Sequence, residues 1–139
     1  MEISKKKLKN IFIKMYTIRK CEETLAKAAQ QGLVFGACHT YIGQEAIAAT
    51  VCEELENNDL IFSTHRGHGH ALAKGLDPFE LISELFGKET GCSKGRGGSM
   101  HLFKPEIGLM GTSGIVGPNI LQSCGAGYSI NLFNKNNVS

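Results

Sequence analysis

One segment, LIFSTHRGHGH at residues 60–70, places a short apolar run directly before a cluster of basic side chains. The run at 60–62 is bounded by turn-forming residues and fits a buried strand of a parallel sheet, although periodicity alone does not separate it from a buried helix. Three histidines and one arginine follow, with two glycines that let the backbone approach a neighbour closely. Because ligands bind at the carboxyl ends of parallel strands, this loop is the first candidate site.

The side chains of this loop suit an anionic ligand better than a metal ion. The planar guanidinium of Arg66 can donate two hydrogen bonds to a phosphate, and a histidine can transfer a proton near neutral pH. His65, His68 and His70 could instead share a cation, but the loop has no Asp, Glu or Cys to complete a zinc site. A polar loop whose histidines lie in solvent is the remaining alternative.

Residues 4–31 are predicted to form a long amphipathic helix. Ser4 is a plausible N-cap, and Gly32 is a plausible C-terminal stop. The apolar residues recur every three to four positions, as they do on the buried face of a helix. They are Leu8, Ile11, Phe12, Met15, Ile18, Leu25 and Ala28.

Further helices are predicted on both sides of the apolar run. Residues 43–56 form one, and a short helix opens around 68–74. Asp77 can cap the next helix, which ends at Gly87, and Glu80 can complete a capping box at its start.

Residues 87–118 are rich in glycine and have little helical or strand pattern. Within them, GCSKGRGGSMH at 91–101 could form a concave nest of backbone N–H groups that suits anions, or simply a mobile loop. The small residues at 111–118 would let a ligand approach the backbone, although a strand-to-helix turn explains them equally well. A helical pattern returns at 119–134.

Composition and charge restrict the class of protein. The chain has 139 residues, enough for one modest domain, with 42% hydrophobic and 20% charged residues. A net charge of +2 is too small to indicate nucleic-acid binding, and the lysines near the start are interpreted as a solvated helix face. Five cysteines without a Cys-x-x-Cys spacing, no signal peptide and no membrane-spanning run predict free thiols in a cytoplasmic protein.

Four segments carry motifs in a specific order and spacing: HTYIGQEA at 39–46, STHRGHGHALAKG at 63–75, GCSKGRGGSMHLF at 91–103 and GIVG at 114–117. Together they resemble the alpha subunit of the two-oxoacid and acetoin dehydrogenase family, which uses thiamine diphosphate. The resemblance implies an α/β fold in which residues 1–139 are an incomplete N-terminal part of a thiamine-diphosphate-binding parallel-sheet domain. Helices and loops would make up most of this part.

The resemblance implies roles for five residues of these motifs. Arg66 would contact the cofactor diphosphate, and His65 would lie beside it. The backbone of Gly114 and Val116 would hold the aminopyrimidine ring. His68 would face the reacting centre as a hydrogen-bond donor or proton carrier.

Two further segments would border the same cleft. They are His39 with the helix start at 43–45, and the loop at 94–101, to which no specific role is assigned. The motif with a histidine at position 65 is similar to that of acetoin dehydrogenases, whereas pyruvate-type subunits more often have tyrosine there. The resemblance therefore favours acetoin over pyruvate as the substrate.

The resemblance also implies a cofactor, a metal and partner proteins. Thiamine diphosphate would break a carbon–carbon bond of acetoin or a two-oxoacid, and the fragment would pass to a lipoyl acyltransferase component. A glutamate of the beta subunit would activate the pyrimidine ring. Mg²⁺ would be held by a Gly-Asp-Gly segment and a later Asn, which are expected to follow Ser139.

An alternative interpretation is a non-catalytic truncated fragment or an assembly module of the same subunit. It arises because the expected metal-binding segment lies outside residues 1–139. Neither interpretation involves nucleic acid or a membrane. Apolar helix faces that this chain cannot cover by itself predict marginal stability or dependence on a partner.

Overall fold

The computed structural model describes residues 3–139, which form five α-helices and two short strands. In chain order the elements are α1 (Lys5–Gln30), α2 (Glu45–Glu54), β1 (Ile61–Thr64), α3 (His68–Lys74), α4 (Pro78–Leu85), a short 3-10 helix (Pro105–Ile107), β2 (Leu109–Ser113) and α5 (Pro118–Leu132). The predicted helices are all present, and α5 begins one residue before the range expected for it. This mixture of helices with a small parallel sheet agrees with the α/β class.

The two strands pair in parallel, and their register brings the ends of two distant segments together. Phe62 lies opposite Gly111, and Thr64 lies opposite Ser113. The predicted strand at 60–62 is therefore confirmed, displaced towards its carboxyl end. The expectation of an irregular 87–118 segment is wrong in part, because β2 forms inside it. Strand β2 is stabilised by pairing with β1, which is far away in sequence. The residue pattern within β2 alone therefore does not predict it.

Helix α1 begins where the sequence predicts and buries only its second half. The Ser4 side chain accepts a hydrogen bond from the backbone N–H of Lys7 at 3.2 Å, which confirms the N-cap. Ile18 and Leu25 are buried against the neighbouring helices, as expected. The first half of the predicted stripe is only partly buried, since Ile11 and Met15 are half-buried and Phe12 is 66% exposed.

Polar contacts explain why the first half of α1 exposes Leu8 and Phe12. This half meets the end of α2 through polar side chains, among them Lys14, whose Nζ lies 2.8 Å from Oε2 of Glu53. Asn10 donates a second hydrogen bond to the same carboxylate at 2.9 Å. The polar face of this half therefore points inward to α2, and Leu8 and Phe12 face away.

Helix α4 has the predicted cap but not the full capping box. Asp77 accepts a hydrogen bond from the backbone N–H of Phe79 at 2.7 Å. Glu80 instead binds Lys104, with 2.7 Å between the charged atoms. The opposite charge of Lys104 replaces the helix start as the partner of Glu80, so the prediction of a box was wrong.

Helix α5 lies against the sheet, and none of its residues is buried. Its exposed large apolar side chains are Ile120, Leu121, Tyr128 and Leu132. The segment after it returns to β1, where the Val138 carbonyl accepts from the Leu60 N–H at 2.8 Å and the Val138 N–H donates to Asp59 at 2.8 Å. The hydrogen bonds that the Asp59 carboxylate accepts from the backbone N–H groups of Val138 and Glu56 lower the pKa of Asp59.

Two expectations from composition can be compared with the structure. All five cysteines are free thiols, as the sequence predicts. Across residues 3–139, no helix is both long enough and apolar enough to cross a membrane.

Candidate functional site

The parallel register places the two sequence-predicted loops at one edge of the sheet. Thr64 and Ser113 are opposite each other at the carboxyl ends of β1 and β2. His65 and Arg66 follow the first strand, and Gly114 follows the second. Because parallel strands end at the same edge, these three residues leave the sheet side by side.

The segment at 39–41 packs against the loop that follows β1. The guanidinium Nη1 of Arg66 donates a hydrogen bond to the Thr40 carbonyl at 2.7 Å. The rings of His39 and His65 meet edge to face, with 5.0 Å between their centroids. All these residues are partly exposed, so the structure brings His39, His65 and Arg66 together on an accessible surface.

His70 is half-buried and lies between two hydroxyl groups. Its Nδ1 lies 2.8 Å from Oγ of Ser63, and its Nε2 lies 3.2 Å from the hydroxyl of Tyr41. The ring also packs edge-on against Tyr41, with 5.1 Å between centroids. Burial lowers the pKa of His70, because the charged imidazolium loses its hydration there.

His68 is completely buried, and both of its ring nitrogens have partners within the chain. Nδ1 lies 2.8 Å from Oε1 of Glu22, and Nε2 lies 2.9 Å from Oγ of Ser99. The structure thus places His68 in the interior, whereas the family resemblance implies that it faces the reacting centre. The reason is its position at the start of α3, where the side chain turns inward to α1 and to the segment at 91–101, the glycine-rich loop.

The three histidines of the loop do not converge on one point. His65 faces His39, His68 faces Glu22, and His70 lies between Ser63 and Tyr41. The described residues, 3–139, contain no group of three His, Cys, Asp or Glu side chains arranged to hold a metal ion. The alternative of a cation shared by His65, His68 and His70 is therefore wrong for this arrangement.

Gly67 and Gly69 serve packing rather than close approach of a ligand. A Cβ atom at Gly69 would lie only 2.1 Å from Cδ1 of Tyr41, and one at Gly67 would lie 2.3 Å from Cγ2 of Thr112. The absence of side chains therefore lets α3 settle against Tyr41 and β2. The sequence indicated correctly that something approaches these glycines, but it could not say that the neighbour is the protein itself.

The predicted nest of backbone N–H groups exists, and the chain supplies its own anion. The buried carboxylate of Glu84 accepts hydrogen bonds from the N–H groups of Ser93 (2.7 Å), Gly95 (2.9 Å), Gly97 (2.7 Å) and Gly98 (3.2 Å). These charge-assisted bonds satisfy the carboxylate in the interior. The interpretation of 91–101 as an anion-binding segment is confirmed in its geometry, and the mobile-loop alternative is not favoured.

The turn after β2 presents backbone and apolar side chains on the surface. Val116 is 84% exposed and Ile115 is 72% exposed. A Cβ atom at Gly114 would lie 3.4 Å from Sδ of Met100 and 3.6 Å from Nε2 of His101. The glycine-rich loop therefore ends beside Gly114, while Val116 lies farther out with its side chain uncovered.

Comparison with known proteins assigns the chain to a family. The sequence model of the "Dehydrogenase E1 component" family matches residues 13–139. The chain belongs to the dehydrogenase E1 component family.

Several E1 alpha subunits are similar along most of the chain. It is 40% identical over all of its length to the alpha subunit of acetoin:2,6-dichlorophenolindophenol oxidoreductase from Bacillus subtilis, covering 42% of that protein. It is 39% identical over 92% of its length to the pyruvate dehydrogenase E1 component subunit alpha of Porphyra purpurea, covering 37% of that protein. The chain thus spans about two fifths of the length of these relatives.

The helix start at 43–45 of this E1 chain is fixed by an ion pair as well as by capping. The carboxylate of Glu45 accepts from the Gly43 N–H at 3.0 Å and from Nε of Arg19 at 2.7 Å. The hydrogen bond from Arg19 lowers the pKa of Glu45. Helix α1 is therefore tied to the segment that carries His39.

Three buried residues that hold the site segments by hydrogen bonds were not predicted from the sequence. They are Glu22, Ser99 and Glu84. Glu22 had a detectable signal, because it stands between Ile18 and Leu25 at the spacing of the buried face of α1. A charged residue at such a position usually has a buried partner. Ser99 had no comparable signal, because it lies in an irregular segment without a periodic buried face. Glu84 lies in a helix of only eight residues, where the periodicity is too short to mark it.

Proposed function

We propose that this chain forms the alpha-subunit side of a thiamine diphosphate site in an E1 dehydrogenase that cleaves acetoin or decarboxylates pyruvate. The supporting observation is the pairing of Thr64 with Ser113, which sets Arg66 beside Gly114 at one sheet edge. A diphosphate group and a ring could then contact neighbouring loops of the same chain. The chain would be the N-terminal part of the cofactor-binding domain.

The first of these loops suits a diphosphate. Within residues 3–139, Arg66 forms no ion pair with a carboxylate, and one of its nitrogens is fixed on the Thr40 carbonyl. The guanidinium therefore has donors left for an anion while its position is already restricted. His65 and His39 lie beside it and could add hydrogen bonds to the same group.

The second loop suits the ring of the cofactor. Gly114 has no side chain to block the backbone, and Val116 and Ile115 expose apolar surface next to it. An aminopyrimidine needs both hydrogen bonds to backbone groups and an apolar surface on which its faces can lie. Gly114 and Val116 would hold it through their backbone, as the family resemblance implies.

His68 acts in this proposal through its neighbours. Both of its ring nitrogens are engaged below the surface, so it would hold Ser99 and the His39 segment in position. Bound thiamine diphosphate would supply the carbanion-stabilising chemistry that carbon–carbon cleavage requires. The residues of this chain would bind and orient it.

The remaining parts of the reaction would come from other chains and segments. Mg²⁺ ligands are proposed to lie in the alpha subunit after Ser139, and the activating glutamate in a beta subunit of a heterotetramer. The product fragment would pass to a lipoyl acyltransferase. The histidine at position 65 supports acetoin as the substrate, with pyruvate as the alternative.

Calorimetric titration of thiamine diphosphate with Mg²⁺ tests the proposal directly. The ligand is added to the chain alone and to the chain mixed with a cognate beta subunit. Binding that appears or strengthens only with the beta subunit supports a half-site that assembly completes. No binding in either mixture would mean that residues 1–139 do not form a half-site by themselves and that the Mg²⁺-binding segment expected after Ser139 is indispensable.

A further inference from the structure

The carboxylate of Glu84 is the centre from which the glycine-rich loop is arranged. Its two oxygens accept four backbone N–H groups from residues 93–98, and the side chain is 1% exposed. An ionised carboxylate is costly to bury unless hydrogen bonds replace its hydration. The four bonds do so, and in return they fix the backbone of a segment that contains three glycines.

The loop is also closed by side chains and close backbone contacts. Ser93 donates through its hydroxyl to the His101 carbonyl at 2.9 Å and accepts from the Phe103 N–H at 3.0 Å. A Cβ atom at Gly97 would lie 1.9 Å from the same His101 carbonyl oxygen. The backbone conformation between Glu84 and residue 101 is therefore closely restricted.

The next residue of the fixed path is Ser99, which connects the loop to the candidate site. Its Oγ accepts a hydrogen bond from the backbone N–H of His39 at 3.1 Å and lies 2.9 Å from Nε2 of His68. Ser99 itself is buried, so water does not replace these contacts easily. Moving the loop would therefore move the segment that carries His39 and Thr40.

We infer that Glu84 is a positioning residue for the cofactor site, acting through the 93–98 loop and Ser99 on His39 and Arg66. The inference rests on the proposed function. Thr40 is the last link, because its carbonyl accepts the hydrogen bond from Arg66. Glu84 touches no ligand in this scheme and determines where the ligand-binding groups stand.

Glu84→Gln is the sharpest single test, because it keeps the size of the side chain and removes the charge. The glutamine amide would have an NH₂ group in place of one carboxylate oxygen. This donor would face the backbone N–H donors of the nest, and no hydrogen bond could form between them. Glu89→Gln is the matched control, since Glu89 is an exposed glutamate five positions along the same segment. Both variants are made in the alpha subunit that carries this chain, expressed with its beta subunit.

Hydrogen exchange of backbone amides gives the first readout and does not depend on the cofactor. We expect Glu84→Gln to speed exchange at Gly95 and Gly97 and also at His39, whose amide is bound to Ser99 and not to Glu84. Glu89→Gln should leave these rates unchanged. Faster exchange confined to the loop, with the rate at His39 unaltered, would reduce Glu84 to a local structural residue and overturn the inference.

The affinity for thiamine diphosphate with Mg²⁺ gives the second readout. We expect Glu84→Gln to raise the cofactor Kd by roughly 10-fold or more, by analogy with the loss that follows removal of a group that orients a metal ligand. An unchanged Kd in a variant with faster loop exchange would contradict the inference. If the unsubstituted protein binds no cofactor, the proposed function fails, and the exchange rate at His39 still decides the role of Glu84.

Ser99→Ala covers the case in which Glu84→Gln does not fold. This substitution leaves the nest around Glu84 intact and removes only the hydroxyl that joins it to His39 and His68. Exchange at Gly95 and Gly97 should stay at the unsubstituted rate, while exchange at His39 becomes faster and the cofactor Kd rises. Wild-type exchange at His39 together with a wild-type Kd would overturn the connection from the loop to the site.

Discussion

Glu22 and His68 form a fully buried pair, with 2.8 Å between Oε1 of the glutamate and Nδ1 of the histidine. The second carboxylate oxygen, Oε2, has no hydrogen-bond partner among the described residues. The pair joins α1 to the start of α3, directly beneath the loop that carries Arg66. Its integrity therefore affects both the stability of the helices and the position of the candidate site.

Replacing Glu22 should destabilise the chain strongly. Glu22→Ala leaves a buried imidazole without its partner, and breaking a buried pair in this way costs about 3–5 kcal/mol. The free energy of unfolding is measured by urea denaturation. Glu23→Ala is the control, because Glu23 pairs with Lys20 on the surface and should contribute at most about 1 kcal/mol. Equal losses in the two variants would contradict the buried pair.

His68→Ala should raise the cofactor Kd of the assembled enzyme and lower its turnover as a result. The expected cause is the loss of support for Ser99, since the ring itself is buried. Steady-state kinetics and calorimetry on the same preparation separate the two quantities. Wild-type turnover would leave His68 with a role in stability alone.

Arg66→Ala should weaken binding of thiamine diphosphate by about 1.5–3 kcal/mol, the contribution of a hydrogen bond to a charged group. Lys88→Ala removes an exposed cation outside the candidate site and should leave the affinity unchanged. Calorimetric titration of the alpha-beta assembly measures both. An affinity that survives the loss of Arg66 would reject its assignment to the diphosphate.

Gly69→Ala should destabilise the chain, because the added methyl group would overlap the ring of Tyr41. Such overpacking costs about 1–3 kcal/mol. Gly125 in α5 offers the opposite case, since nothing lies within 4 Å of a Cβ atom there. Gly125→Ala should stabilise the helix by about 0.5–1 kcal/mol. Thermal unfolding of both variants should give shifts of opposite sign.

Acidification should destabilise the chain through His70. Burial lowers the pKa of His70, so the unfolded chain takes up a proton at a higher pH than the folded chain does. The contribution of neutral His70 is therefore fully present above the ordinary histidine pKa of about 6.5 and is lost as the pH falls below it. The urea midpoint should drop between about pH 7.5 and about pH 5.5, and less so in His70→Gln. Parallel curves for the two proteins would exclude His70 as the cause.

Local signals were sufficient to predict most of the helices. Ser4 and Asp77 cap their helices through hydrogen bonds to backbone groups two or three residues away, so the sequence contains both partners. Strand β2 was missed because LMGTS has no clear alternation and depends on β1, far away in sequence. The exposure of Phe12 was missed for a related reason, as it depends on which face of α1 meets α2.

The candidate site was predictable to the level of its loops but not of its interior. The motif at 63–75 identified the segment, and the structure keeps Arg66 and His65 accessible there. The same motif could not distinguish His65 at the surface from His68 in the interior. That difference arises from where α3 begins and from Glu22, a partner 46 positions earlier.

The parallel pairing of the strands has a consequence for synthesis of the protein. Ile61 pairs with Leu109, 48 positions later. At the usual ribosomal rate, roughly 2–10 s pass between the two residues. During that interval β1 has both edges unpaired, and an apolar unpaired strand is prone to join another chain. The nascent protein would therefore depend on a chaperone, or on fast packing of α1 to α4, to protect this strand until β2 has left the ribosome.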